Sequence, residues 1–157
     1  MSGLSALGMA DSTDHRRRPS RLHFHLYSRP PSGGVRWRLL AANNRELGRG
    51  ALVYSDAEAC RAGLARTVVE LPTMERVVIR LDRTRWMWQL RKDGVDVVAS
   101  GHAFERRPRC EEAWERFLRF APVAPVRDAV TVLRWSSRGI RPSLLQRPAV
   151  CAPADHP

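Results

Sequence analysis

One pattern of apolar and polar residues occurs twice in this sequence, and that repetition limits the possible folds more than any other feature. Each copy is about 50 residues long and contains three segments of alternating apolar residues, then an amphipathic segment that ends at a proline. From the third segment onwards the copies align at an offset of 50, and before it at an offset of 51. The aligned pairs include Tyr54 with Phe104, Cys60 with Cys110, Leu64 with Trp114, Pro72 with Pro122, and Trp37 with Trp88. The spacing predicts one α+β unit used twice, over residues 22–75 and 76–135.

The alternating segments are typical of β-strands, because a period of two places the apolar side chains on one face of a sheet. These segments are residues 22–27, 35–41 and 47–54 in the first copy, and 77–81, 86–90, 95–104 and 129–135 in the second. Asn43-Asn44 and Asp93-Gly94 favour tight hairpin turns between strands. Gly48 and Gly50 predict a bulge in the third strand.

An amphipathic helix is predicted after the third strand of each copy. The first begins with the capping-box pattern of Ser55 followed by Glu58, with Ser55 as the N-cap. Apolar residues then recur at helical spacing: Cys60, Leu64, Val68 and Leu71 in one copy, and Cys110, Trp114, Phe117 and Ala121 in the other. We therefore predict an α+β fold in which two tandem β-β-β-α-β repeats form one antiparallel sheet with two helices on one face.

Apolar residues and charge divide the chain into three parts. Apolar residues make up 43% and are concentrated between Leu22 and Trp135, so we expect a disordered basic tail at 1–21 and a Pro-rich flexible tail at 136–157. The net charge is +11, and the predicted domain at 22–135 holds 20 basic and 13 acidic residues. A basic domain attracts polyanions such as nucleic acid. Arginine supplies 26 of the 27 basic residues, which a GC-rich genome also produces, so the charge has two explanations.

The first copy resembles the YegP-like family of small bacterial proteins. The resemblance rests on the segments Trp37-Arg38-Leu39-Leu40-Ala41-Ala42-Asn43-Asn44 and Tyr54-Ser55-Asp56-Ala57-Glu58-Ala59-Cys60-Arg61-Ala62-Gly63. The second copy departs from it, with Phe104-Glu105 in place of Tyr-Ser and Ala113 in place of Gly63. The resemblance implies tandem units that share one sheet and exchange their C-terminal strands. It implies no activity and no catalytic residues.

The three cysteines do not predict a disulfide framework or a zinc site, because their number is odd and no CxxC pair occurs. Cys60 and Cys110 are expected in the core, whereas Cys151 lies in the predicted tail and is the thiol most open to reaction. The sequence shows neither a signal peptide nor an apolar run of membrane-spanning length. We therefore expect a cytoplasmic protein.

His23 and His25 lie two residues apart on one face of a strand and are the best candidates for metal ligands. A stable site needs a third and a fourth ligand, and nothing in the sequence brings His102 or Asp96 to them. We expect a solvated sheet face there, and no metal or cofactor.

The second strands of the two copies carry tryptophans on one side and arginines on the other. Trp37, Trp86 and Trp88 are expected beneath the helices, although the same rings would suit stacking of nucleic-acid bases. The opposite side carries the candidate polyanion-binding residues Arg36, Arg38, Arg85 and Arg91. Arginines on an exposed sheet can also serve solubility alone. Interleaved acidic side chains would favour that second interpretation.

No motif of a nucleophile, phosphate-binding loop, metalloprotease or dinucleotide site is present. The leading hypothesis is a non-enzymatic binding or interaction module, a monomer or homodimer of unknown partner. One alternative is a weak, sequence-nonspecific nucleic-acid binder that uses the basic sheet face. An enzyme of unknown type is the second alternative.

Overall fold

The computed structural model describes residues 21–31 and 33–133. The predictions for the two tails, for Cys151 and for the last residues of the final strand fall outside these residues, and the domain limits stay a prediction. Within them the chain forms seven strands and two helices. The elements are β1 His23–Ser28, β2 Val35–Leu40, β3 Glu46–Gly50, α1 Ala57–Glu70, β4 Glu75–Arg80, β5 Trp86–Lys92, β6 Val95–Ala99, α2 Arg107–Phe120 and β7 Val126–Val132. A short 3-10 turn follows each helix, at Leu71–Thr73 and Ala121–Val123.

All seven strands belong to one sheet, in the order β4-β5-β6-β3-β2-β1-β7. The strand that follows α1, β4, lies beside β5, and the strand that follows α2, β7, lies beside β1 at the other edge of the sheet. The predicted single-sheet α+β class is confirmed. One detail was wrong: β7 runs parallel to β1, so the sheet is mixed rather than wholly antiparallel. The common origin of the two halves stays a prediction.

The core lies between the sheet and the two helices. Trp37 and Trp88 are 1% and 0% exposed, and the rings of Trp88 and Phe117 lie 5.2 Å apart. The predicted place of Trp37 and Trp88 in the core is confirmed, which removes them as platforms for stacked bases. Trp86 is only partly buried against the same cluster, with the guanidinium groups of Arg80 and Arg107 5.5 and 5.8 Å from its ring centre. Cys60 and Cys110 are fully buried in the same cluster, also as predicted.

The glycines of β3 seat these aromatic rings. A Cβ atom on Gly48 would lie 2.7 Å from the ring of Phe117, and one on Gly50 would lie 2.6 Å from the ring of Trp37. The register between β2 and β3 shifts between Leu39 and Leu40, so the predicted bulge is present as well. The glycines therefore allow close packing in addition to the bend.

Several local boundaries differ from the predictions, including β6, which ends at Ala99 rather than Phe104, and β7, which begins at Val126 rather than Ala129. Asp56, not Ser55, is the N-cap of α1, and its Oδ1 accepts a hydrogen bond of 2.8 Å from the amide of Ala59. Strand β3 ends at Gly50, and Tyr54 forms only an isolated bridge to Val35. Strand β4 begins at Glu75, two residues earlier than the alternation indicates. Asp56 can take the place predicted for Ser55 because a carboxylate caps a helix as well as a hydroxyl does.

Candidate anion-binding sites

The predicted arginines lie on, or next to, the sheet face opposite the helices, called here the outer face. Strand register places Arg36 beside Tyr27 and Arg38 beside His25, while Arg91 lies on the other half beside Asp96. The first two arginines are on β2 and Arg91 is on β5, so β3 and β6 separate them. The four predicted arginines therefore form two separate groups, Arg36 and Arg38 on one half of the sheet and Arg85 and Arg91 on the other, and not one continuous patch.

The group on the second half is neutralised by acidic partners. Arg91 Nε lies 2.6 Å from Asp96 Oδ1, and this hydrogen bond raises the pKa of Arg91. Arg85 Nε lies 2.5 Å from Asp82 Oδ2. The pKa of Asp82 is lowered, first by the backbone amide of Thr84 and then by Arg85. Because Arg85 and Arg91 are both paired with carboxylates, they are weaker candidates for binding a polyanion.

The group on the first half shares a single carboxylate. Glu46 accepts a 2.5 Å ion pair from Arg49 Nε and lies 3.7 Å from Arg38 Nη1. Arg36 has no side-chain hydrogen bond or ion pair within the part of the chain that the structure describes. Sequence reasoning missed Arg49, which lies opposite Arg38 on β3. Positive charge therefore exceeds negative charge on this half.

The pKa of His25 is affected by the positive charge on the first half of the outer face. Burial lowers the pKa of His25, and Arg38, His23 and Arg127 lower it further by electrostatic repulsion. Its Nδ1 accepts a 3.1 Å hydrogen bond from Arg38 Nε, which leaves Nε2–H to donate to Thr131 Oγ1 at 2.8 Å. Arg127 on β7 was also missed from the sequence. We call Arg36, Arg38, Arg49 and Arg127 the basic cluster.

The histidine pair does not lie on a solvated face as predicted. His23 is only 4% exposed, and its Nδ1 donates to the carbonyl of Arg21. The two imidazole centroids are 6.3 Å apart. Among residues 21–31 and 33–133, no group of three or more side chains is arranged to hold a metal ion.

Burial governs the chemistry of the two cysteines in the described chain. It raises the pKa of Cys60 to about 11, and it does the same to Cys110. Both are free thiols. A thiol with so high a pKa is a poor nucleophile at neutral pH, so neither residue suits thiolate chemistry.

A cleft of about 570 Å³ lies between the start of β3, the segment that follows β6, and helix α2. Its walls are residues 45–47 at the start of β3, the segment 102–106, and the face of α2 that carries Arg109, Glu112, Ala113 and Arg116. Its lining is partly charged, with Arg45, Arg106 and Arg116, and partly apolar, with Leu47, Phe104 and Ala113. No sequence motif pointed to this cleft.

The pKa of His102 at the edge of the cleft is lowered, first by burial and then by Arg45, with a smaller effect of Arg49. Glu46 opposes these effects without reversing them. The imidazole also packs against Phe104, with 4.4 Å between ring centroids. The cleft is therefore a second region of positive potential.

Helix α2 begins without an acidic cap, unlike α1. Arg106 occupies the N-cap position with no side-chain hydrogen bond, and no acidic residue lies in the first turn. Pro108 fits the first turn of a helix, as predicted, because it lacks the amide hydrogen that would be unpaired there.

The architecture defines a class of α+β proteins with one sheet and two helices, and solved structures of that class are similar to this chain. The solution NMR structure of yegP from E. coli, a protein of unknown function, matches with a TM-score of 0.54 and 13% identity, over 74% of this chain and 97% of that one. The UPF0339 protein SO3888 from Shewanella oneidensis matches with a TM-score of 0.52 and 10% identity, over 74% and 95%.

The chain thus has the YegP-like fold, and the resemblance seen in the sequence is confirmed at the level of the fold. No protein-family model matches the sequence, and no curated protein does. Within the described residues, no helix has the length and apolar character to cross a membrane.

Proposed function

We propose that this protein is a binding module that recognises the phosphate backbone of nucleic acid through the basic cluster. The observation that carries the proposal is the excess of positive charge on the first half of the sheet, where Glu46 is paired with Arg38 and Arg49, Arg36 has no ion pair among the described residues, and Arg127 lies close enough to His25 to lower its pKa. Arg36 is free to contact a phosphate, and Arg38 and Arg49 share their single acidic partner. Guanidinium groups suit phosphate oxygens because they donate paired hydrogen bonds.

The mode of binding follows from the burial of the aromatic rings that could otherwise stack on bases. Trp37 and Trp88 are buried under the helices, and Tyr27 is only 4% exposed, with Arg38 5.2 Å from its ring centre. No ring among these three is available to stack on a base, so recognition uses phosphates and has no sequence preference. Binding of this kind is weak and strongly dependent on salt.

The test is fluorescence anisotropy with a labelled duplex over a series of salt concentrations. A net excess of three charges predicts a log-log salt slope of about −3 for duplex DNA. The variant R36Q/R38Q removes two contacts and flattens the slope to about −1. The matched control is R85Q/R91Q, which removes two arginines already paired with Asp82 and Asp96 and leaves the slope unchanged.

Two results contradict the proposal. One is no binding by the wild-type protein at about 50 mM salt, where backbone contacts are strong. The other is equal flattening of the slope by both double variants, which would trace binding to overall charge rather than to the basic cluster.

A further inference from the structure

Beside the cleft next to α2, the two halves of the fold are packed differently at one position. In the first half, the ring of Tyr54 lies against Gly63, and a Cβ atom on Gly63 would be 2.3 Å from that ring. In the second half, Ala113 occupies the equivalent position on α2, and the equivalent ring is Phe104. A methyl group prevents that close approach, and both Phe104 and Ala113 line the open cleft instead.

The charges that line the cleft do not cancel. Two of its three glutamates are already engaged, Glu112 with Arg109 at 2.9 Å and Glu46 with Arg49 at 2.5 Å. The third is Glu105. Three arginines have no ion pair or side-chain hydrogen bond within the described residues: Arg45, Arg106 and Arg116. The cleft is therefore complementary to an anion.

The cleft also has an apolar part. Leu47, Phe104 and Ala113 are half-buried and pack against the core while lining the space. An aromatic ring prefers another flat ring at its face or edge, so Phe104 offers a contact for one. A volume of about 570 Å³ lies within the usual range of small-molecule sites.

We propose that this cleft binds a small organic anion, a phosphate or carboxylate group attached to a flat apolar ring. Arg45, Arg106 and Arg116 supply the positive charge that attracts the anionic group, and the ring lies against Phe104 and Ala113. This site combines the start of β3 with residues of the second half; none of the four arginines of the basic cluster lines it, although Glu46 is the ion-pair partner of two of them.

The experiment is an NMR titration of the full chain with phenyl phosphate, benzoate and inorganic phosphate. Phenyl phosphate or benzoate shifts the amides of 45–47, 102–106 and 109–116, and the tighter of the two identifies the anionic group. Inorganic phosphate binds at least about tenfold more weakly, because it lacks the ring contact. The bound anion also raises the pKa of His102, because it opposes the repulsion from Arg45 and Arg49.

Variants separate the site from general charge. R106Q/R116Q weakens binding at least about tenfold, the effect of losing one charge-assisted hydrogen bond. Ala113→Leu fills the apolar part and reduces the affinity for phenyl phosphate more than that for inorganic phosphate. The matched control is Arg66→Gln, because Arg66 is the equivalent of Arg116 on α1, close to Tyr54, and lies outside the cleft.

Three outcomes overturn the proposal. Amide shifts confined to the outer face would place the anion elsewhere. A loss of affinity in Arg66→Gln as large as that in R106Q/R116Q would make the effect one of net charge. Equal affinity for phenyl phosphate and inorganic phosphate would show that the ring contributes nothing. An unchanged pattern of amide shifts far from the cleft confirms that each variant is folded.

Discussion

Replacing Gly48 by alanine tests whether the aromatic core is as tightly packed as the structure shows. The added Cβ atom would lie 2.7 Å from Phe117 Cδ2 and 2.9 Å from Trp88 Cη2. Both rings are almost fully buried, at 1% and 0% exposure, so neither can move into solvent. Overpacking of a core costs about 1–3 kcal/mol. Replacing a strand glycine by alanine restricts the unfolded chain and contributes about 0.5–1 kcal/mol in the opposite direction.

The overpacking cost is the larger of the two, so we expect Gly48→Ala to lower the free energy of unfolding by about 1–2 kcal/mol. The assay is urea denaturation followed by tryptophan fluorescence. The control is the same substitution in a Phe117→Leu background, where the smaller side chain makes room and the cost of Gly48→Ala falls or changes sign. Stabilisation by Gly48→Ala in the wild-type background would refute the packing argument.

Three further outcomes are expected. Leu64→Ala, at a residue 1% exposed beneath the sheet, should lower the unfolding free energy by about 2–5 kcal/mol in the same denaturation assay. Cys60 and Cys110 should react with a thiol reagent at pH 8 only after unfolding, because pKa values of about 11 leave about 0.1% of each as thiolate. The pKa of His25 is lowered in the folded state, so the unfolded state takes up the proton first. Stability should therefore fall as pH drops below the ordinary pKa of 6.5, and His25→Gln should reduce that loss in a thermal melt at several pH values.

Most of the fold could be predicted because its determinants are local. Alternation at the two tryptophan strands and helical spacing from Cys60 and Cys110 each depend on residues close together in sequence. The direction of β7 could not be predicted in this way, because a strand's pattern records which side is buried and not which neighbour it meets. Its partner is β1, at the other end of the chain.

The candidate sites were harder to predict, for two different reasons. The pairing of Arg91 with Asp96 could have been deduced from the register of the Asp93-Gly94 hairpin, since opposite charges on adjacent strands attract. The cleft could not have been deduced from the sequence. The difference between Gly63 and Ala113 is visible in the sequence, but its effect depends on where the rings of Tyr54 and Phe104 lie.

The pairing of β7 with β1 has a consequence for the order of folding. Phe24 pairs with Val126, and the amide of Phe24 donates to the carbonyl of Pro125, so contacts join positions about 100 residues apart. During synthesis, the first strand leaves the ribosome long before its partner exists, and its outer edge stays exposed until then. Contacts this distant in sequence slow folding, because the chain must close a long loop before they form. We expect the domain to complete its folding only after nearly all of it has been made.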